Sequence, residues 1–150
     1  MTETVTALSE SLFQQLQNEP FALLHTIDAE AGSPTSSAVS WIYPVNESTL
    51  RFAIDGRSRL AVNMLSKADV SVTVFVPGSI QTIYGIARLV KDSLDEVPFK
   101  LVCFDIEIGY IRDAMFYGSR LSAMPEYEKT YDKRAADKLD RQVFAAMKKA

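Results

Sequence analysis

Alternation of apolar and polar residues predicts β-strands along most of the chain. In residues 49–55 every second side chain is a large apolar one, as expected for a strand with one buried face. Similar alternation, or short apolar runs bounded by turn residues, predicts strands over residues 21–28, 35–44, 49–55, 69–77, 79–92 and 101–112. Gly85 lies inside one of these segments, where a glycine often marks a bulge or the close approach of another backbone.

Helical periodicity replaces this alternation in a few places. It predicts helices over residues 8–18, 58–67 and 126–150. The first helix ends before Pro20, which cannot continue it. The last carries its apolar side chains, including Tyr127 and Tyr131, at helical spacing on a strongly charged background, so we expect it to lie on the surface.

Consecutive strands with short connections favour an antiparallel barrel over βαβ units. The predicted fold is therefore mainly β with peripheral helices, a β-barrel of about six mostly antiparallel strands. Because no internal repeat or low-complexity linker interrupts the chain, residues 1–150 are interpreted as a single domain with an N-terminal and a C-terminal helix.

Composition and charge narrow the possible functions. Hydrophobic residues make up 47% and charged residues 23% of the 150 residues, as in ordinary globular proteins. The net charge of −3 speaks against general nucleic-acid binding, which needs a basic face. No apolar run approaches the ~20 residues that span a bilayer. With Cys103 the only cysteine and no basic-then-apolar leader, we expect a cytoplasmic protein without disulfides or membrane contact.

Candidate chemistry is concentrated in residues 55–59, which join a strand to the second predicted helix. Gly56 permits a tight turn, and Ser58 can cap the helix. Arg57 and Arg59 flank that cap, where free backbone N–H groups already favour an anion. Guanidinium groups bind phosphate oxygens in bidentate fashion. The segment is therefore either a phosphate-binding loop or a capped helix with two solvated arginines.

The order of these elements resembles the FMN-binding split barrel of the pyridoxamine 5′-phosphate oxidase-like superfamily, over roughly residues 20–92. The residues that carry the resemblance are Ser37 to Trp41, Phe52, Ala53, Arg57, Ser58, Arg59, Asn63, Gln81 and Gly85. By this resemblance, the FMN-binding residues are Ser37, Val39, Ser40, Trp41, Phe52, Ala53, Arg57, Ser58, Arg59 and Gln81.

The chain also departs from the family pattern. Ser37 and Ile42 stand where family members often have Arg and a Lys or other polar residue, and Leu60 stands where a Lys often follows the Arg. The C-terminal Trp and Arg-x-His residues of the true oxidases are replaced by the charged helix. We therefore do not expect pyridoxamine 5′-phosphate oxidation; the small stress-protein-like and flavin-reductase-like members look closer.

The resemblance implies an FMN-dependent oxidoreductase acting on a small molecule, with the flavin at the interface of a homodimer. FMN would carry the redox chemistry, and no catalytic residue is assigned. The alternative is a non-catalytic, stress-related barrel that holds flavin or another small ligand. A protein that is yellow and bleaches with reduced nicotinamide would favour the enzyme.

Several other residues have two interpretations. His25 lies in an apolar strand and is interpreted as a hydrogen-bonded strand histidine, since one histidine without a cysteine cluster builds no metal site. Cys103 is interpreted as a small buried hydrophobe.

Trp41 can stack on a flavin or fill the core. Asp105 and Glu107 are interpreted as solvated positions rather than an acid–base pair. A remaining group of one methionine and three aromatic residues can line a substrate mouth or a subunit interface: Tyr110, Met115, Phe116 and Tyr117.

Overall fold

A computed structural model describes residues 4–18 and 20–150. Its elements, in chain order, are β1 (Thr4–Val5), α1 (Glu10–Leu16), β2 (Ala22–Ile27), β3 (Pro34–Val39), β4 (Ile42–Asn46), β5 (Thr49–Asp55), α2 (Arg59–Ser66), β6 (Asp69–Val76), β7 (Ser79–Lys91), β8 (Leu101–Asp113) and α3 (Lys133–Lys149).

The strands form one antiparallel sheet in the order β3-β2-β6-β7-β8-β5-β4, with the short β1 paired to β8 beside this path. β3 and β4 form the two ends of the path, and the sheet does not close between them. The prediction of a mainly β, split-barrel fold with peripheral helices is confirmed. None of the helices in the described part of the chain is long and apolar enough to cross a membrane.

The inner face of the sheet holds the main core. Leu24, Val72 and Ile83 lie side by side on β2, β6 and β7 and are almost fully buried. Phe52 and Phe104 stack across β5 and β8 with ring centroids 5.9 Å apart. Each such side chain contributes roughly 1.5–3 kcal/mol through burial. The alternation seen in the sequence thus marks the residues that hold the barrel together.

Gly85 confirms the prediction of a close backbone approach. A Cβ at this position would collide with the Glu107 carbonyl oxygen and lie 2.6 Å from Cγ2 of Ile106. The register between β7 and β8 also shifts between Tyr84 and Gly85. The glycine therefore lets the two long strands bend past one another.

The predicted strand 35–44 is wrong as a single element. The chain breaks at Ser40–Trp41 into β3, which pairs with β2, and β4, which pairs with β5. These strands lie at opposite ends of the sheet path. Alternation continues through the break, so the sequence pattern does not reveal that the strand changes partner there.

The predicted start of the C-terminal helix is also wrong. α3 begins after Asp132, whose side chain accepts a hydrogen bond from the Ala135 N–H at 3.0 Å and caps the helix. Tyr127 and Tyr131 therefore lie outside the helix. Tyr127 packs edge-on against the phenylalanine that precedes β2, with a centroid distance of 5.2 Å. Helical spacing continued by chance beyond the cap.

A second apolar cluster forms where α3 covers part of the sheet's other face. It joins Val143 and Met147 of α3 to Ala53, Leu101 and Cys103 of β5 and β8. Cys103 is fully buried, as predicted, and burial raises the pKa of its thiol to about 11. The helix is thus part of the folded core and not a loose surface appendage.

The expected solvation of Asp105 is wrong. Asp105 is only 3% exposed and forms ion pairs with Arg51 at 2.7 Å and with Arg88 at 3.3 Å. Cross-strand register brings Arg51 of β5 and Arg88 of β7 to either side of it on β8. Glu107, two residues on, is exposed as expected. A buried carboxylate between two arginines is structural because its charge is already compensated.

A candidate ligand groove between β3, β5 and α2

A groove of about 340 Å³ lies at the opening of the split sheet. It is bordered by β3 and the break after it, by the end of β5 and by the start of α2. The lining residues are Ser37, Ala38, Val39, Ser40, Trp41, Ala53, Ile54, Asp55, Ser58 and Leu60. Six of the residues that the sequence resemblance assigned to FMN are among them: Ser37, Val39, Ser40, Trp41, Ala53 and Ser58.

Backbone hydrogen bonds hold the three sides of the groove together. The Ala53 N–H donates to the Trp41 carbonyl at 3.0 Å, so the break after β3 is tied to β5. Ser58 N–H donates to the Asp55 carbonyl at 2.9 Å, and Ser58 Oγ accepts from the Leu60 N–H at 3.1 Å. Ser58 is therefore the N-cap of α2, as predicted.

The two arginines beside this cap form ion pairs in the structure. Arg57 is 92% exposed and its Nη2 lies 3.0 Å from Asp55 Oδ2, while Arg59 Nη2 donates to Asp28 Oδ1 at 2.9 Å. Hydrogen bonds from Arg57 lower the pKa of Asp55 to about 2. The pKa of Asp28 is lowered first by the Ala31 N–H and then by Arg59. An anion at this helix end must compete with these carboxylates.

Asn63 has a structural role one turn further along α2. It is buried, its Nδ2 donates to Thr26 Oγ1 at 3.1 Å, and its Oδ1 accepts from the Ala29 N–H at 2.9 Å. These bonds fix α2 against the end of β2. Asn63 does not line the groove.

Two of the assigned residues lie away from the groove. Phe52 is fully buried and stacks on Phe104 in the core. Gln81 pairs with Val74 and Asp113, and β7 is separated from β3 by β2 and β6. Within one chain, therefore, neither the Phe52 nor the Gln81 side chain lines the groove.

Trp41 combines the two roles that its sequence left open. It lines the groove, and it also packs against the α3 cluster. Its indole Nε1 donates to Asp140 Oδ1 at 2.8 Å. Sequence reasoning missed Asp140 because 99 residues separate the two positions. Asp28 was missed for the same reason: no local pattern pairs it with Arg59.

His25 is a hydrogen-bonded strand histidine, as predicted. Its Nδ1 lies 2.9 Å from Ser36 Oγ and its Nε2 lies 2.7 Å from Thr73 Oγ1. Burial lowers its pKa below the ordinary value. Among residues 4–18 and 20–150, no cluster of three or more His, Cys, Asp or Glu side chains is arranged to hold a metal ion.

The aromatic residues near the end of β8 do not line the groove either. Tyr110 stacks on Tyr84 with centroids 4.6 Å apart. Phe116 and Tyr117, beyond the strand, are largely exposed. Neither contact distinguishes a substrate mouth from a subunit interface, so both interpretations of these residues stay predictions.

No family model matches the chain, and no curated protein matches it. Solved structures do match. A candidate pyridoxamine 5′-phosphate oxidase from Lactobacillus delbrueckii aligns with a TM-score of 0.60 at 13% identity, over 71% of this chain and 94% of its own. General Stress Protein 26 from Bacillus anthracis aligns with a TM-score of 0.54 at 18% identity, over 66% of this chain and 88% of its own. HutZ, the heme storage protein from Vibrio cholerae, aligns with a TM-score of 0.55 at 14% identity, over 71% of this chain and 94% of its own.

These identities are too low to carry a function from one protein to another, but the aligned lengths cover most of each neighbour. The chain therefore shares the split-barrel fold of these neighbours, as the sequence resemblance predicted.

Proposed function

We propose that the groove between β3, β5 and α2 binds FMN and that the protein is a flavin-dependent oxidoreductase acting on a small molecule. One observation carries the proposal. Six of the ten residues that the sequence resemblance assigned to FMN border a single groove. Four of them lie within residues 37–41, and the fold brings Ala53 of β5 and Ser58 at the start of α2 beside that segment.

The chemistry of the lining fits the parts of FMN. Val39, Trp41, Ile54 and Leu60 offer apolar surface to a flat ring, and serine hydroxyls can bond the hydroxyls of a ribityl chain. The first backbone N–H groups of α2 lack partners within the helix and favour an anion such as phosphate. The ring, chain and phosphate thus each have a matching part of the groove.

Holding the phosphate requires the arginines to change partners. Arg57 and Arg59 are exposed, so a phosphate can approach their guanidinium groups from solvent. A dianionic phosphate is a stronger bidentate partner than the single carboxylates of Asp55 and Asp28. We infer that binding exchanges or bridges these ion pairs, with Ser58 at the centre.

Bound FMN would supply hydride transfer. The chain's own contribution is to hold the phosphate, to orient the ring along β3 and to keep water from one of its faces. None of these roles needs a protein acid or base.

A homodimer completes the proposal. At about 340 Å³ the groove is at the small end of the range for ligand sites, as expected of a site that a second subunit enlarges. The outer face of β7 and β8 carries the Tyr84–Tyr110 stack and the exposed Ile86, an apolar patch suited to an isologous contact. In such a dimer the Gln81 side chain can contact the flavin bound in the groove of the other subunit.

The direct test is to titrate the purified protein with FMN and to record the absorbance spectrum before any addition. We expect binding of FMN well above that of riboflavin, which has the same ring without phosphate. Replacing Arg57 and Arg59 together with Ala should weaken FMN binding by about tenfold or more and leave riboflavin binding unchanged.

Arg134→Ala, on the exposed start of α3, is the matched control and should behave as the wild type. Equal affinity for FMN and riboflavin, or an unchanged double variant, would contradict the phosphate assignment. Hemin is a useful comparison ligand because HutZ is a heme storage protein. Stronger binding of hemin than of FMN would overturn the flavin proposal.

A turnover assay distinguishes the oxidoreductase from the non-catalytic alternative. The FMN-loaded protein is mixed anaerobically with reduced nicotinamide, and bleaching of the flavin absorbance is followed. Rapid bleaching with reoxidation by an added acceptor supports the oxidoreductase. A loaded protein that no reductant bleaches would instead be a flavin-binding barrel.

A further inference from the structure

Trp41 is fixed by both its backbone and its side chain. Its carbonyl accepts from the Ala53 N–H at 3.0 Å, which continues the ladder between β4 and β5. Its indole Nε1 donates to Asp140 Oδ1 at 2.8 Å. The first contact lies within the sheet, whereas the second reaches across to α3. The break that lines the groove is therefore connected to the C-terminal helix.

Asp140 is an unusual residue for the buried side of a surface helix. It is 7% exposed, although an unpaired carboxylate in such a position is costly. Its second oxygen, Oδ2, lies 3.4 Å from Nζ of Lys129, which compensates the charge. Each carboxylate oxygen thus has its own partner, and the Trp41 contact accounts for one of the two.

The helix that carries Asp140 is itself held in place from the sheet. Arg51 Nη1 donates to the carbonyl oxygens of Met147 and Ala150, both at 3.0 Å, and the same guanidinium binds the buried Asp105. Cations at a helix C-terminus stabilise its last carbonyl groups. α3 therefore has a defined position along the sheet, and Asp140 is presented to Trp41 from a rigid element.

We propose that Asp140 is a positioning residue for the ligand groove: by holding the Trp41 indole it keeps the Ser40–Trp41 segment in the conformation that receives the flavin. The inference rests on the proposed FMN function of the groove. It gives the C-terminal helix, which lies outside the resembling segment, a role in binding. Asp140 itself does not line the groove and touches no bound group.

A merely structural role for Asp140 would predict lower stability with an unchanged groove. A positioning role predicts instead that Trp41 becomes mobile and that FMN binding weakens in the same variants. Because Trp41 is the only tryptophan in the chain, its fluorescence reports this one contact without interference.

The test compares Asp140→Ala, Asp140→Asn and Lys129→Met in the full-length protein. Asn retains an oxygen that can accept from the indole N–H, whereas Ala does not. Lys129→Met removes the ion pair and leaves the indole bond. For each variant, acrylamide quenching and near-UV circular dichroism of Trp41 are measured without ligand, followed by FMN titration.

We expect Asp140→Ala to increase quenching of Trp41 and to weaken FMN binding by about tenfold, the loss of one charge-assisted hydrogen bond. Asp140→Asn and Lys129→Met should remain within about twofold of the wild type on both measures. Trp41→Phe keeps a ring without the N–H donor. It should lose affinity as Asp140→Ala does, and the double variant should lose little more, since both remove the same contact.

Unchanged quenching in a folded Asp140→Ala protein would overturn the positioning role. Increased quenching with undiminished FMN affinity would overturn its link to the groove. Should the wild type bind no FMN while Asp140→Ala still frees Trp41, the proposed function fails and the positioning of Trp41 stands. If Asp140→Ala does not fold, undiminished FMN affinity in Trp41→Phe, which lacks the N–H donor, would reject the proposal.

Discussion

At the scale of single residues, partners decide what each charged or polar side chain does. Asp105 and Asp55 are both strand aspartates, yet one is buried between arginines and the other borders the groove beside exposed Arg57. His25 likewise differs from a solvated histidine because it is half-buried and two hydroxyl groups lie within hydrogen-bond distance of its ring. Residue type alone does not distinguish these cases.

His25 offers a clean prediction because it is the only histidine. Burial lowers its pKa below 6.5, so the unfolded chain takes up a proton more readily than the folded one. Its contribution to stability is therefore complete above pH 6.5 and is lost as the pH falls through the folded-state pKa. An NMR titration of the single imidazole should give a midpoint below 6.5. A midpoint at or above 6.5 would contradict the burial of this ring.

At the scale of elements, the bend between β7 and β8 depends on one glycine. These strands are 13 residues each and supply the longest ladder of the sheet. Gly85 allows the Glu107 carbonyl to approach where a side chain would not fit. Without that approach the strands could not keep their register on both sides of the bulge.

Gly85→Ala should therefore destabilise the fold by about 1–3 kcal/mol or more, because the new Cβ meets backbone that cannot move aside. The control is Gly109→Ala on the neighbouring strand, where a Cβ would lie 3.5 Å from the Tyr84 carbonyl oxygen, an ordinary contact. That variant should be neutral or slightly stabilising. Chemical denaturation measures both, and equal effects of the two substitutions would contradict the assigned close approach.

At the scale of the whole molecule, the open sheet decides where ligands and partners can bind. β3 and β4 diverge at the ends of the sheet, and the groove occupies the opening beside them. The neighbouring structures share the overall fold at 13–18% identity. A barrel of this kind tolerates such divergence because its core needs apolar residues of suitable volume more than particular ones.

The proposed homodimer is tested at this scale. Ile86→Lys introduces a charge into the exposed face that carries the Tyr84–Tyr110 stack. It should shift the protein toward monomer in sedimentation or light scattering and weaken FMN binding in parallel. Leu65→Lys, at a more exposed apolar residue of α2, is the control and should change neither the oligomeric state nor FMN binding. A wild type that is monomeric at all concentrations would rule out this arrangement.

By itself the sequence determined the local elements: most strands, three helices, the Ser58 cap and the close backbone approach at Gly85. Side-chain periodicity, capping and turn chemistry act over a few residues, so they can be read along the chain. The tertiary structure alone decided the rest. It ended strand 35–44 at Ser40–Trp41, buried Asp105, and paired Trp41 with Asp140. These features depend on contacts between residues far apart in sequence, which no local pattern encodes.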